Sequence, residues 1–228
     1  MLYQPVPPFV NSLNYAFIGE SGCGKSELAI NLAYRLHSCG KEVHLFDLDQ
    51  TKPLFRSRDL KERLLQDGIR FHYEEQYYDT PTIAGGITWE LAAANSCCIL
   101  DLGGNDTGSR VIGGFSPLIN APDTTVYFVI NPFRPWSRNF DAVAGTLQSI
   151  LNASRVAAVR VICNPSLGYA TTAEEARDGV FRTEAMLTGH FSIDFVTVRS
   201  EIAAETAEWL PYQVYPMQLY FQYPWTQN

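Results

Sequence analysis

Apolar residues in this chain gather in short, near-continuous runs, separated by stretches where they recur every three to four positions. The runs cover 13–18, 41–46, 97–100, 124–130, 156–163 and 191–198, with a shorter one at 69–73. Runs of this length without polar alternation predict strands buried on both faces. Between them, Leu28, Ala29, Leu32, Ala33 and Leu36 share one helical face, which Cys39-Gly40 closes. Phe140, Val143, Ala144, Leu147, Ile150 and Leu151 repeat the pattern. Pro53 is placed to open a helix that runs to about Gln66 and stops at Asp67-Gly68. Another helix is predicted through Trp89, Leu91 and Ala92, and Thr172-Ala173-Glu174-Glu175 has the reciprocal capping pattern of a helix start.

Strands alternating with helices predict an α/β fold: a mostly parallel sheet of about seven strands with helices on both faces, three layers in all. One domain over 1–228 is expected. Residues 1–12 read as an irregular lead-in, and 211–228 as an aromatic tail that packs back on the domain. In such sheets, ligands sit beyond the carboxyl ends of the strands. Gly19, Asp47-Leu48-Asp49, Asp101-Leu102-Gly103-Gly104, Asn131 and Asn164 all follow predicted strands, so one rim should gather them.

Composition narrows the function classes. The 228 residues are 46% hydrophobic, enough for one sizeable core. The net charge of −7, from 24 acidic and 17 basic residues, argues against a nucleic-acid surface as the main role. No apolar run is long enough for a membrane span, and the N-terminus lacks a basic start before an apolar block. The five cysteines form no C-x-x-C pair and read as free thiols of a reducing, cytoplasmic compartment.

The chemistry lies in Gly19-Glu20-Ser21-Gly22-Cys23-Gly24-Lys25-Ser26, which fits G-x-x-x-x-G-K-[ST] between a strand and a helix. Glycines let the backbone curl so that successive amides point at phosphate oxygens. Lys25 adds a charge for the β- and γ-phosphates, Ser26 a hydroxyl for Mg²⁺, and the following helix the positive end of its dipole. The cradle is therefore expected from Gly19, Ser21, Gly22, Cys23, Gly24, Lys25, Ser26 and Glu27. Asp101, after four apolar residues, is the candidate carboxylate for the metal. Asp47 and Asp49 end another strand, where one can enter the Mg²⁺ shell and the other orient an attacking water.

Together, the 19–26 motif, Asp47-Leu48-Asp49, Asp101-Leu102-Gly103-Gly104 and Ile162-Cys163-Asn164 resemble the MinD/ParA/nitrogenase-iron-protein superfamily of P-loop NTPases. The resemblance implies a P-loop NTPase fold and ATP with Mg²⁺. It implies Asp49 on the hydrolytic water and in the metal shell, and Asn164 on the adenine. It also implies a nucleotide-driven ATPase switch that acts on a protein partner. Many members carry a lysine where this chain has Glu20, so the superfamily's homodimer, closed through that lysine, stays open here. Two other readings compete. One is a small-molecule kinase using the aromatic, acidic loop from His72 to Asp79; the other is a nucleotide-binding adaptor without turnover.

Overall fold

The computed structural model describes residues 12–49, 57–73 and 86–221. Eight strands form one sheet: β1 (Asn14–Ile18), β2 (Glu42–Leu48), β3 (Arg70–Tyr73), β4 (Ser96–Leu102), β5 (Thr124–Ile130), β6 (Arg160–Cys163), β7 (Ile193–Arg199) and β8 (Val214–Met217). Their order is β3-β2-β4-β1-β5-β6-β7-β8, and every pairing is parallel. The helices are α1 (Lys25–Ser38), α2 (Lys61–Gln66), α3 (Ile87–Ala92), α4 (Asn105–Ser109), α5 (Ser116–Ile119), α6 (Phe140–Ser154), α7 (Ala173–Leu187) and α8 (Ser200–Trp209).

The strands are apolar throughout because each face of the sheet is covered. Tyr15, Phe17, Leu45, Ile99, Tyr127, Ile162 and Phe195 pack with Leu28 and Leu32 of α1. The alternate positions, among them Ile18, Phe46, Leu100, Phe128 and Val196, pack with Val143 and Leu147 of α6 and Val180 of α7. Strand side chains alternate between faces, so Cys97 and Cys98 fall on opposite sides of the sheet. All five cysteines are free.

Three details differ from the sequence reading. The tail contributes an eighth strand, β8, which pairs with β7. Pro216 lies within it, and an edge strand tolerates a residue that cannot donate to the ladder. The strand expected from 156 begins only at Arg160: Val156 is buried, but the Ala157 amide donates to Asn120 Oδ1 at 2.8 Å rather than to a neighbouring strand. Residues 104–119 fold as short turns, α4, the 3₁₀ segment Arg110–Phe115 and α5, without apolar periodicity. The start of the helix expected at Pro53, the lead-in and most of the loop after His72 lie outside the described residues; 57–66 is a 3₁₀ turn, Ser57–Leu60, running into α2.

Candidate functional site

Parallel strands end at one edge of the sheet, and the loop between β1 and α1 lies there. Gly19, Gly22 and Gly24 hold φ of +138°, +74° and +103°. A side chain at Gly24 would stand 2.1 Å from Asn164 Nδ2, and one at Gly19 2.6 Å from the Val129 carbonyl. Both positions therefore require glycine for backbone shape and for space. Gly24 is the N-cap of α1 and offers no side chain to the helix amides. The first-turn amides of Lys25, Ser26 and Glu27 are thus presented at a positive helix end, the arrangement that favours an anion.

Lys25 is 1% exposed, and its ammonium donates to the carbonyls of Gly19 and Glu20 at 2.9 Å each. The lysine thus lies folded over its own loop. Arg134 donates from Nε to the Gly22 carbonyl at 3.0 Å and packs beside the loop tip. Glu20 accepts from the Ser21 amide at 3.3 Å and from Thr146 Oγ1 of α6 at 3.2 Å. Gly104, where β4 leaves the sheet, approaches so closely that a Cβ there would lie 2.6 Å from the Ser21 amide.

The acidic rim lies beside the loop. Asp47 of β2 pairs with Asp101 of β4, and Asp101 with Phe17 of β1, so both carboxylates share the α1 side of the sheet. Asp47, Asp49 and Asp101 are all buried. Asp47 Oδ1 accepts from the Asp49 amide at 3.0 Å, and its Oδ2 from Arg58 Nε at 2.8 Å and the Arg58 amide at 3.2 Å. Arg58 Nη2 also donates to the Asp49 carbonyl at 2.9 Å. Partial burial works against the Arg58 charge, but the bond to Asp47 and the fields of Asp47 and Asp49 outweigh it and raise its pKa. Ser57 is wholly buried and donates its hydroxyl to Asp101 Oδ2.

Asn164 follows β6 and is buried; its Nδ2 donates to the Cys23 carbonyl at 2.7 Å, and its Oδ1 accepts from Thr197 Oγ1 of β7 at 3.1 Å. The carboxamide thus braces the phosphate loop from behind. Glu27, expected in the cradle, turns its carboxylate to the tail, where it accepts from the amides of Tyr220 and Phe221 at 3.0 Å. Only its backbone stays in the first turn of α1. Burial pushes the Glu27 carboxyl up to about 7 against the lowering pull of those two amides.

Sequence reasoning singled out Gly19, Gly24, Lys25, Asp47, Asp49, Asp101 and Asn164, and the fold brings them to one edge. It gave no role at this rim to Ser57, Arg58 or Thr197. Ser57 and Arg58 lie 8 and 9 residues after Asp49, and no spacing rule ties such residues to a strand end. The donor set suits Mg²⁺: the hydroxyl of Ser26 and the carboxylates of Asp49 and Asp101 are hard oxygen ligands. Among the described residues no group of three or more His, Cys, Asp and Glu forms a metal cage.

A family model described as "CobQ/CobB/MinD/ParA nucleotide binding domain" matches residues 16–175. Among curated proteins no relative matches. Solved structures share the fold at low identity. The Signal Recognition Particle 54 kDa protein from Aeropyrum pernix K1, in complex with GDP, superposes at TM-score 0.53 and 19% identity, over 84% of this chain and 42% of that one. Cell division protein FtsY from Thermotoga maritima gives TM-score 0.56 and 18% identity, over 86% and 63%. FlhF complexed with GTP and Mg²⁺ gives TM-score 0.53 and 13% identity, over 83% and 67%. The chain therefore spans less than two thirds of the first two. Among the described residues no helix is long and apolar enough to cross a membrane.

Proposed function

From a chain that belongs to the CobQ/CobB/MinD/ParA nucleotide-binding family, we propose a Mg²⁺-dependent ATPase that works as a nucleotide-driven switch on a protein partner. One observation carries the reading: a glycine-shaped loop with a buried lysine sits at the sheet edge that also holds Asp47, Asp49 and Asp101. Lys25 would leave the Gly19 and Glu20 carbonyls for the β- and γ-phosphate oxygens, exchanging neutral acceptors for charged ones. The amides from Gly22 to Ser26 would hold the polyphosphate. Ser26, Asp49 and Asp101 would hold Mg²⁺, which when bound neutralises charge on the phosphates.

Asp49 would orient the attacking water and take its proton as the bond to ADP breaks, yielding ADP and phosphate. Asp47, with both oxygens engaged, would hold the Asp49 backbone in place for that task. Loss of the terminal phosphate would free Gly103-Gly104, of which Gly104 packs against Ser21, to move, and this motion would be read by the partner. Asn164 and the family likeness support adenine in this reading: the second amide hydrogen of Asn164 would serve the base beside the Cys23 contact. GDP and GTP in the structural neighbours make guanine the competing base.

Thermal melts with Mg·ATP and Mg·GTP test the proposal. Wild-type protein should gain about 2.7 kcal/mol with ligand at 100 times Kd, more readily for ATP, and Lys25→Ala should gain nothing. Equal melting with and without either nucleotide would sink it. A second reading, a binding module without turnover, draws support from the ion pair that occupies Asp47 and from Glu20 at the usual lysine position. Tight ATP binding with no ADP release, unchanged by Asp49→Ala, would favour it.

A further inference from the structure

The turn Ser57–Leu60 lies across the ends of two paired strands and grips both. Ser57 is wholly buried with its hydroxyl on the Asp101 carboxylate. The next residue gives its amide and Nε to Asp47 and its Nη2 to the Asp49 carbonyl. Asp47 in turn holds the Asp49 amide at 3.0 Å. Two consecutive residues thus connect every acidic residue of the rim.

The two links differ in kind. Arg58 neutralises the charge of Asp47, so that carboxylate is committed to structure. Ser57 is a neutral donor, whose bond to Oδ2 sets the plane of the Asp101 carboxylate without adding a charge of its own. A buried hydroxyl that orients a carboxylate offered to a cation belongs to the shell of groups that direct a metal ligand. Donors of this kind to a metal-binding carboxylate ordinarily govern metal affinity by 10–100-fold. We propose that Ser57 is a positioning residue for the divalent cation at Asp101, and that Arg58 holds Ser57 in register by anchoring the same turn to Asp47. This rests on the reading of the rim as a Mg²⁺-nucleotide site and assigns the metal's orienting group within it.

The test uses the full chain and a fluorescent ATP analogue. The analogue is bound first in EDTA, and Mg²⁺ is then titrated at fixed nucleotide. In EDTA, Ser57→Ala should bind the analogue as the wild type does. Its Mg²⁺ midpoint should rise by about tenfold or more, and Ser57→Thr, which restores the hydroxyl, should recover most of the shift. An unchanged Mg²⁺ midpoint in Ser57→Ala, with only a lower melting temperature, would reduce the hydroxyl to a packing contact and overturn the inference. If Ser57→Ala does not fold, Ser57→Cys, close in size but a weak donor, carries the same comparison. A wild-type protein that binds nucleotide without any response to Mg²⁺ would remove the metal reading of the rim, and this inference with it. A normal wild-type response with an unmoved variant removes this inference alone.

Discussion

The phosphate edge and the tail clamp grow from the same two turns of α1, and they use opposite chemistry. At the edge, the backbone supplies donors and Lys25 and Ser26 add a cation and a hydroxyl, all suited to an anion. At the clamp, side chains supply acceptors to a backbone: Glu27 takes the Tyr220 and Phe221 amides, while Asn31 exchanges two 2.8 Å bonds with Gln218. Tyr34, one turn on, stacks on Tyr220 with ring centroids 5.0 Å apart. Positions 27, 31 and 34 form one stripe on the helix, as their spacing requires. The difference teaches that a motif fixes backbone roles more firmly than side-chain roles. Glu27 belongs to the cradle by its place in the chain, and to the tail by its carboxylate.

This comparison breaks most visibly at Gly24. In Gly24→Ala a Cβ must fit at φ +103° and 2.1 Å from Asn164 Nδ2. The left-handed backbone alone costs about 1–2 kcal/mol. The loop must also shift, so the stabilisation given by Mg·ATP should vanish while the tail stays docked. Thermal melts with and without nucleotide measure both.

The clamp should respond in the reverse sense. Glu27→Ala leaves two buried amides without their acceptor, at a cost of about 1–3 kcal/mol, with nucleotide affinity nearly unchanged. Its pH dependence sharpens the point. The folded carboxyl titrates at about 7 against 4.5 for the ordinary group. Between those values the native state holds a proton that the unfolded chain has lost, so the contribution is complete below pH 4.5 and declines as pH rises through about 7. Denaturant midpoints followed over that window should fall for the wild type and flatten in Glu27→Gln. Asn31→Ala, which removes the neutral pair to Gln218, should cost about 1 kcal/mol, seen in denaturant melts, and leave the pH profile intact.

Much of the fold was legible because both faces of the sheet are covered. Continuous apolar runs marked β1, β2, β4 and β5, and the spacing of Leu28, Leu32 and Leu36 marked α1. The end of the chain was not legible. Helix α8 follows β7 with no intervening loop, so no turn residue announces it, and β8 is four residues long with a proline inside. In the site, the glycines and Lys25 declared themselves through a backbone requirement that only their spacing meets. Spacing alone left Asp47 and Asp49 equivalent, and only the family resemblance favoured Asp49; in the fold Arg58, from the turn at Ser57–Leu60, takes the Asp47 carboxylate. Asn131, another strand-end candidate, spends its carboxamide on the Ser166 carbonyl and the Phe133 amide. Such partners are set by tertiary packing and leave no periodic trace.

The central claim is that the amides between Gly19 and Glu27 grip a polyphosphate. Hydrogen–deuterium exchange with and without Mg·ATP tests it where it is made. The account predicts slowed exchange across Gly22 to Ser26 on adding nucleotide, absent in Lys25→Ala, with the Tyr220 and Phe221 amides already slow in both conditions. Unaltered exchange across that loop at saturating nucleotide would contradict it.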